Sequence, residues 1–217
     1  MFSLILILAI FALTLHRLSQ TESDIEPLSQ KLSLSLQKLW NIAHSGLREN
    51  KFLRAEKALL TILKIDQTNA AAYNRLGILY AKQKEYKDAI DCFEIASSLE
   101  PSPSSLHNLG LIYYETENFE KAAAAFEHAL DLDEKLASRH IAYAKVLEKL
   151  NDTKAMLTEL ERAVELEPNP ESYQLLAKAY EATGHSDEAE DIRNKIRTLI
   201  IPSSKRKRIA RPKQSVI

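Results

Sequence analysis

Two stretches of this chain repeat each other 33 residues apart. Tyr73, Leu76, Gly77 and Tyr80, followed by Ala89, Phe93, Ala96 and Leu99, correspond to Leu106, Leu109, Gly110 and Tyr113, followed by Ala122, Phe126, Ala129 and Leu132. A fixed period of this length constrains a fold more tightly than composition does, because one unit cannot bury its apolar face alone and must stack on its neighbours. Within a unit the spacing predicts two helices. Tyr73, Leu76 and Tyr80 share one helical face, and Ala89, Phe93 and Ala96 share a face of the next. Gly77 and Gly110 lie inside helices, where glycine costs about 1 kcal/mol, and a close crossing of the paired helices explains their presence. Polar turns, Gln83-Lys84-Glu85 and Glu115-Thr116-Glu117-Asn118, separate the two helices. Pro101 stops the second helix because proline cannot continue one.

This arrangement, with a Leu-Gly pair and a Tyr on the first helix and Ala, an aromatic and Ala on the second, resembles the tetratricopeptide repeat. The resemblance implies an all-α fold, a right-handed superhelical solenoid of about five helix-turn-helix units. Extending the register aligns Ala55, Ala89, Ala122, Met156 and Ala189, and likewise Leu59, Phe93, Phe126, Leu160 and Arg193. The expected units are 36–69, 70–102, 103–136, 137–169 and 170–201. Pro168 matches Pro101, whereas Glu134 stands in the proline position of the third unit. The fourth unit departs from the pattern with His140, Tyr143 and Ala144, and the fifth returns to it with Tyr173, Leu176, Ala177 and Tyr180. Arg193, at an aromatic position, predicts a polar terminal cap. In the first unit the register set by Ala55 and Leu59 puts Leu39, Ile42, Ala43 and Gly46 on the packing face and turns Trp40 to the concave side. A shift by one would bury Trp40 but force His44 into the small-residue position, so the first register is preferred. Pro27, Leu28, Leu32 and Leu36 extend this helix upstream, across a 19–35 linker.

Composition removes several chemistries. Four glycines with no clustering leave no place for G-x-G-x-x-G or a phosphate-binding P-loop. A single cysteine, Cys92, excludes an intramolecular disulfide and a cysteine zinc site. The six histidines form no H-x-x-x-H or H-E-x-x-H pair. No catalytic residue, metal ligand, cofactor or small-molecule substrate is expected. Acids such as Glu85, Asp88, Asp187 and Glu188 read as solvated helix faces.

The two ends differ from the body. Met1 to Leu15 carries no charged side chain and ends at His16 and Arg17. At ~1.5 Å per residue it spans about 22 Å as a helix, short of a ~30 Å hydrocarbon core, a gap that Leu18 and bilayer thinning can close. No basic residue precedes the run and its small-residue sites are poor, which favours an uncleaved anchor over residues 1–18 rather than a removed signal peptide. Arg17, Lys31 and Lys38 follow the run, so the positive-inside rule places the repeats on the cytoplasmic side of a single-pass membrane protein. Beyond Pro202, the tail 202–217 holds Lys205, Arg206, Lys207, Arg208, Arg211 and Lys213, and the chain without these six carries −7 against −1 overall. Such a run reads as a disordered, solvated arm that can also meet anionic lipid or RNA.

The resemblance further implies a concave groove, lined by first helices, that takes an extended or helical segment of a protein partner. Carried over, the residues facing it are Trp40, His44, Asn74, Ile78, His107, Leu111, Tyr114, Ile141, Lys145, Gln174 and Lys178. His44, Ile78 and Leu111 replace the polar residues by which family members grip chaperone C-termini, which favours an amphipathic helix or apolar peptide. The expectation is a non-enzymatic membrane-anchored adaptor. The alternatives are an RNA- or ribosome-associated factor acting through the tail and an exported soluble scaffold.

Overall fold

The computed structural model describes residues 30–200. The expected anchor over 1–18, most of the 19–35 linker and the basic tail lie outside the described residues. Ten helices and no strand are found among the described residues. The first, α1, spans 30–48. After it come α2 (Phe52–Ile65), α3 (Ala70–Gln83), α4 (Tyr86–Leu99), α5 (Pro103–Glu115), α6 (Phe119–Leu132), α7 (Ala137–Lys149), α8 (Thr153–Leu166), α9 (Pro170–Ala182) and α10 (Ser186–Ile200). This is the all-α solenoid class that the repeat period implies. The chain forms two compact units, one ending at Leu79 and one beginning at Tyr80.

In the first unit, α1 and α2 meet through small residues. Ala43 and Ala55 are fully buried, and a Cβ added to Gly46 would lie 2.9 Å from the Ala55 Cβ. Trp40 is half-buried and His44 exposed, with their rings 5.8 Å apart. Asn69 then starts α3, its Oδ1 accepting from the Ala72 N–H at 3.0 Å.

In the second unit the helices pack in chain order, α5 with α6, α7 with α8 and α9 with α10, and each second helix leans on the first helix that follows it. Phe93 and Phe126 are almost wholly buried, as are Ala89, Ala122 and Ala129. A Cβ on Gly110 would come within 2.8–3.0 Å of the Phe126 ring, so glycine at this crossing is a packing requirement. Arg193 sits half-exposed and pairs with Glu181 on α9 and Glu190 on α10, so charge stands where the second and third pairs have a phenylalanine ring and the first and fourth a leucine.

The turn inside each pair is the same backbone device throughout. Asn50, Lys84, Glu117, Asn151 and Gly184 have φ of 57°, 64°, 59°, 59° and 83°, each one or two residues beyond the end of a first helix. The next N–H reaches back to the last turn, as in Lys51 N–H to Gly46 O (2.8 Å), Glu85 N–H to Tyr80 O (2.9 Å), Asn118 N–H to Tyr113 O (2.8 Å), Asp152 N–H to Leu147 O (3.0 Å) and His185 N–H to Tyr180 O (2.9 Å). These are Schellman closures, which favour glycine at the left-handed position. Only Gly184 supplies it.

The third pair ends without the proline that stops the second. Two side chains at the start of α7 hold this connection instead. Arg139, 3% exposed, donates to the Asp133 carbonyl and approaches Asp133 Oδ2 at 3.3 Å. His140 donates from Nε2 to the Glu134 carbonyl at 2.8 Å, and its Nδ1 meets Glu159 Oε2 at 2.6 Å. The departure of the fourth unit from the repeat pattern is therefore compensated locally.

Two consequences can be measured. Lys84→Gly and Glu117→Gly should each stabilise the protein by about 0.5–1 kcal/mol, because the left-handed conformation no longer costs a Cβ clash. Ala122→Asp should cost more than about 2 kcal/mol by placing a carboxylate where two helices touch. Denaturant midpoints at constant slope read both.

Candidate functional site

The expected groove residues all lie on first helices. In the first unit these are Trp40 and His44 on α1 and Asn74 and Ile78 on α3. Trp40 and Ile78 are half-buried, His44 is exposed and Asn74 is engaged in a contact. In the second unit α5 supplies His107, Leu111 and Tyr114, α7 supplies Ile141 and Lys145, and α9 supplies Gln174 and Lys178.

The last four residues come together. A cleft of about 520 Å³ between α7 and α9 is lined by Ser138, Ile141, Gln174, Leu175 and Lys178. A second of about 390 Å³ adjoins it, sharing Ile141, Leu175 and Lys178 and adding Lys145, Glu148 and Thr183. Ile141 and Leu175, both half-buried, make an apolar floor, and Lys145 and Lys178 rise exposed at its rim. Neither lysine has an ion-pair partner among the described residues. Carboxylates do approach: Glu167 and Glu171 border the first cleft and Glu148 the second. The arrangement offers a seat for one or two apolar side chains flanked by both signs of charge.

The α5 residues are committed differently. His107 stacks edge-on against Phe126 at 5.4 Å, and its Nδ1 is buried without a partner among the described residues. Burial, with a smaller contribution from the Arg139 charge, holds its pKa below the ordinary histidine value, so it is a neutral packing ring at pH 7. Tyr114 packs its ring edge-on against Phe119 at 5.7 Å, and Leu111 is 39% exposed. Leu111 is thus the most available apolar group that α5 presents at these positions.

Sequence reading did not find the polar ties between pairs. The Tyr113 hydroxyl donates to Glu94, and the Tyr180 hydroxyl donates to Glu161 at 2.5 Å, in both cases linking a first helix to the second helix before it. Burial and then the paired carboxylate push the Tyr180 hydroxyl up to about 12, and Tyr113 is raised by the same two causes. The two pairs occupy equivalent positions 67 residues apart, and that recurrence was the available signal. Lys121 lies 5.3 Å over the Tyr113 ring.

No group of side chains able to hold a metal ion occurs among the described residues. Cys92 is half-buried on α4, and burial, aided by Asp88 and Asp91, pushes its thiol up to about 11. A catalytic thiol needs the opposite shift.

Compared with known proteins, residues 70–103, 103–136 and 137–170 each match a tetratricopeptide repeat model. Residues 70–170 are therefore tetratricopeptide repeats, the class that the paired helices and their spacing define. Solved structures of similar fold include MamA, 23% identical over 71% of this chain and 92% of that chain, with a TM-score of 0.66. MamA 41-end from Desulfovibrio magneticus RS-1 is 16% identical over 76% of this chain and 94% of that chain, with a TM-score of 0.68. YrrB, a TPR protein with an unusual peptide-binding site, is 21% identical over 72% and 81%, with a TM-score of 0.62. At these identities the likeness is one of fold.

The raised thiol pKa has a direct readout. At pH 8 Cys92 should hold roughly a hundredfold less thiolate than an unperturbed thiol, so alkylation of the folded protein should be slow and should accelerate up to about pH 11. Rates measured across that range check this.

Proposed function

We propose that this protein is a non-enzymatic adaptor that holds a segment of a partner protein on the inner faces of its first helices. The observation that carries this reading is the cleft between α7 and α9, with its apolar floor of Ile141 and Leu175 and its unpaired lysines at the rim. Its shape suits an amphipathic helix or an extended peptide with an apolar anchor and a nearby acid. Peptide binding by YrrB is a precedent within the same fold. On this reading Trp40 and Tyr114 are large amphipathic anchors, and Lys145 and Lys178 steer and orient the ligand.

The proposal includes attachment to a membrane through residues 1–18, with the repeats on the cytoplasmic side. It rests on the uncharged run Met1 to Leu15 and the bases that follow it. No helix among the described residues is long and apolar enough to cross a membrane, so attachment would fall to that run. The six tail bases are a second, electrostatic contact, and an RNA- or ribosome-associated role through them is the competing reading.

Affinity capture from detergent-solubilised membranes tests the adaptor reading. Trp40→Ala or Tyr114→Ala should weaken partner capture by at least about 1 kcal/mol, and neutralising Lys145 and Lys178 should lower its salt dependence. Neutralising Lys205 to Lys213 should leave the partner bound. Capture that survives the groove substitutions and fails without the tail charges moves the functional site to the tail.

Removing residues 1–18 should release folded repeats into the soluble fraction, read by fractionation and circular dichroism. Retention at the membrane after this deletion assigns the attachment elsewhere.

A further inference from the structure

The outer side of the first helix pair is apolar where a preceding repeat would stack. Leu39 and Ile42 of α1 and Leu53, Arg54, Lys57 and Thr61 of α2 line one open groove. Leu53 is 70% exposed, and Leu32 and Leu34 in the first turns of α1 are 47% and 52% exposed. A solenoid end is ordinarily finished with polar residues. The last pair follows this rule, with Arg193 salt-bridged to Glu181 and Glu190. The first pair does not, and apolar surface of this kind calls for an occupant.

Charge indicates which occupant. Residues 30–65 contain seven bases against two acids, Glu49 and Glu56, a net +5, and Glu49 is paired to Lys51 at 2.7 Å. Residues 66–200 reverse this balance, with 25 acids against 15 bases. Exposed leucines among lysines and arginines are the composition of a surface that lies on anionic lipid, with apolar groups between headgroups and cations on phosphates.

We propose that the outer face of α1 and α2, centred on Leu39, Leu53, Arg54 and Lys57, docks on an anionic lipid surface. Continuity supports it: only 11 residues, 19–29, separate this pair from the proposed anchor, a reach of at most about 40 Å. To that extent the inference rests on the anchor reading. The acids Glu22, Asp24 and Glu26 lie in this connection, leaving the net positive charge to the helix pair.

The test places an environment-sensitive fluorophore at Leu53→Cys in a full-length Cys92→Ser chain, with a control label at Ser138→Cys. The protein is reconstituted into phosphatidylcholine vesicles with or without phosphatidylglycerol, doped with spin-labelled lipid as quencher. The label at 53 should be quenched at least twofold more with phosphatidylglycerol than without, and the label at 138 should not respond. Arg54→Gln with Lys57→Gln should reduce the affinity for the anionic surface by roughly tenfold or more. Equal quenching at 53 and 138 overturns the inference. Equal quenching with the label at 53 also shielded from aqueous iodide shows instead that residues 1–29 or a second copy cover the face. If the chain fails to stay with neutral vesicles the anchor reading fails, while the response of the label at 53 to added anionic vesicles still decides the inference by itself.

Discussion

Every helix pair depends on how closely its two helices can approach. Alanine occupies the contact at Ala55, Ala122 and Ala189, each with no exposed surface, and the facing position is small or absent, as with Ala43, Gly46 and Gly110. Once the backbones are that close, the large residues beside the contact have only one place to go. The Phe126 ring lies over Gly110, and Leu160 joins Ala144 and Ala177 in one buried apolar cluster. The crossing thus sets the register of each pair, and the register decides which first-helix residues are left facing outward. The candidate binding surface is what remains after packing has taken its share.

That logic explains what could be read from the sequence. Alanine, glycine and phenylalanine at fixed spacing are packing residues, so the all-α repeat fold was legible from them. Arg193 was also legible, because a charged residue at an aromatic position makes sense only where stacking stops. The turns were less so. Four of the five left-handed residues, Asn50, Lys84, Glu117 and Asn151, are not glycine, and the geometry that the Schellman bonds impose overrides their local preference. The buried tie of Arg139 and His140 to the 133–134 connection was illegible for a related reason. Both residues look like faults in the repeat pattern until the missing proline at Glu134 is taken with them.

The candidate site was legible in part. Ile141, Lys145, Gln174 and Lys178 share one cleft system, as expected of equivalent positions on neighbouring first helices. His107 and Tyr114 are drawn into aromatic contacts with Phe126 and Phe119 that position alone does not reveal. Position in a repeat fixes the direction a side chain leaves the helix. What it touches depends on neighbours that vary from unit to unit.

The polar ties between pairs bear on how the array could respond to a ligand. Tyr113 to Glu94 and Tyr180 to Glu161 are hydrogen bonds across the interface between successive pairs, set at the edge of an otherwise apolar contact. A hydrogen bond to a charged group contributes about 1.5–3 kcal/mol and, unlike apolar contact, is directional, so it resists sliding or rotation of one pair on the next. Between the third and fourth pairs Leu147 occupies the position of these tyrosines, and the grip of Arg139 and His140 on the connection restrains the chain instead. The α7–α9 cleft lies just beyond that junction and across the Tyr180 tie. On the proposed reading, a ligand seated on Ile141 and Leu175 would meet two first helices already held in register and would lose less of its binding free energy to ordering them.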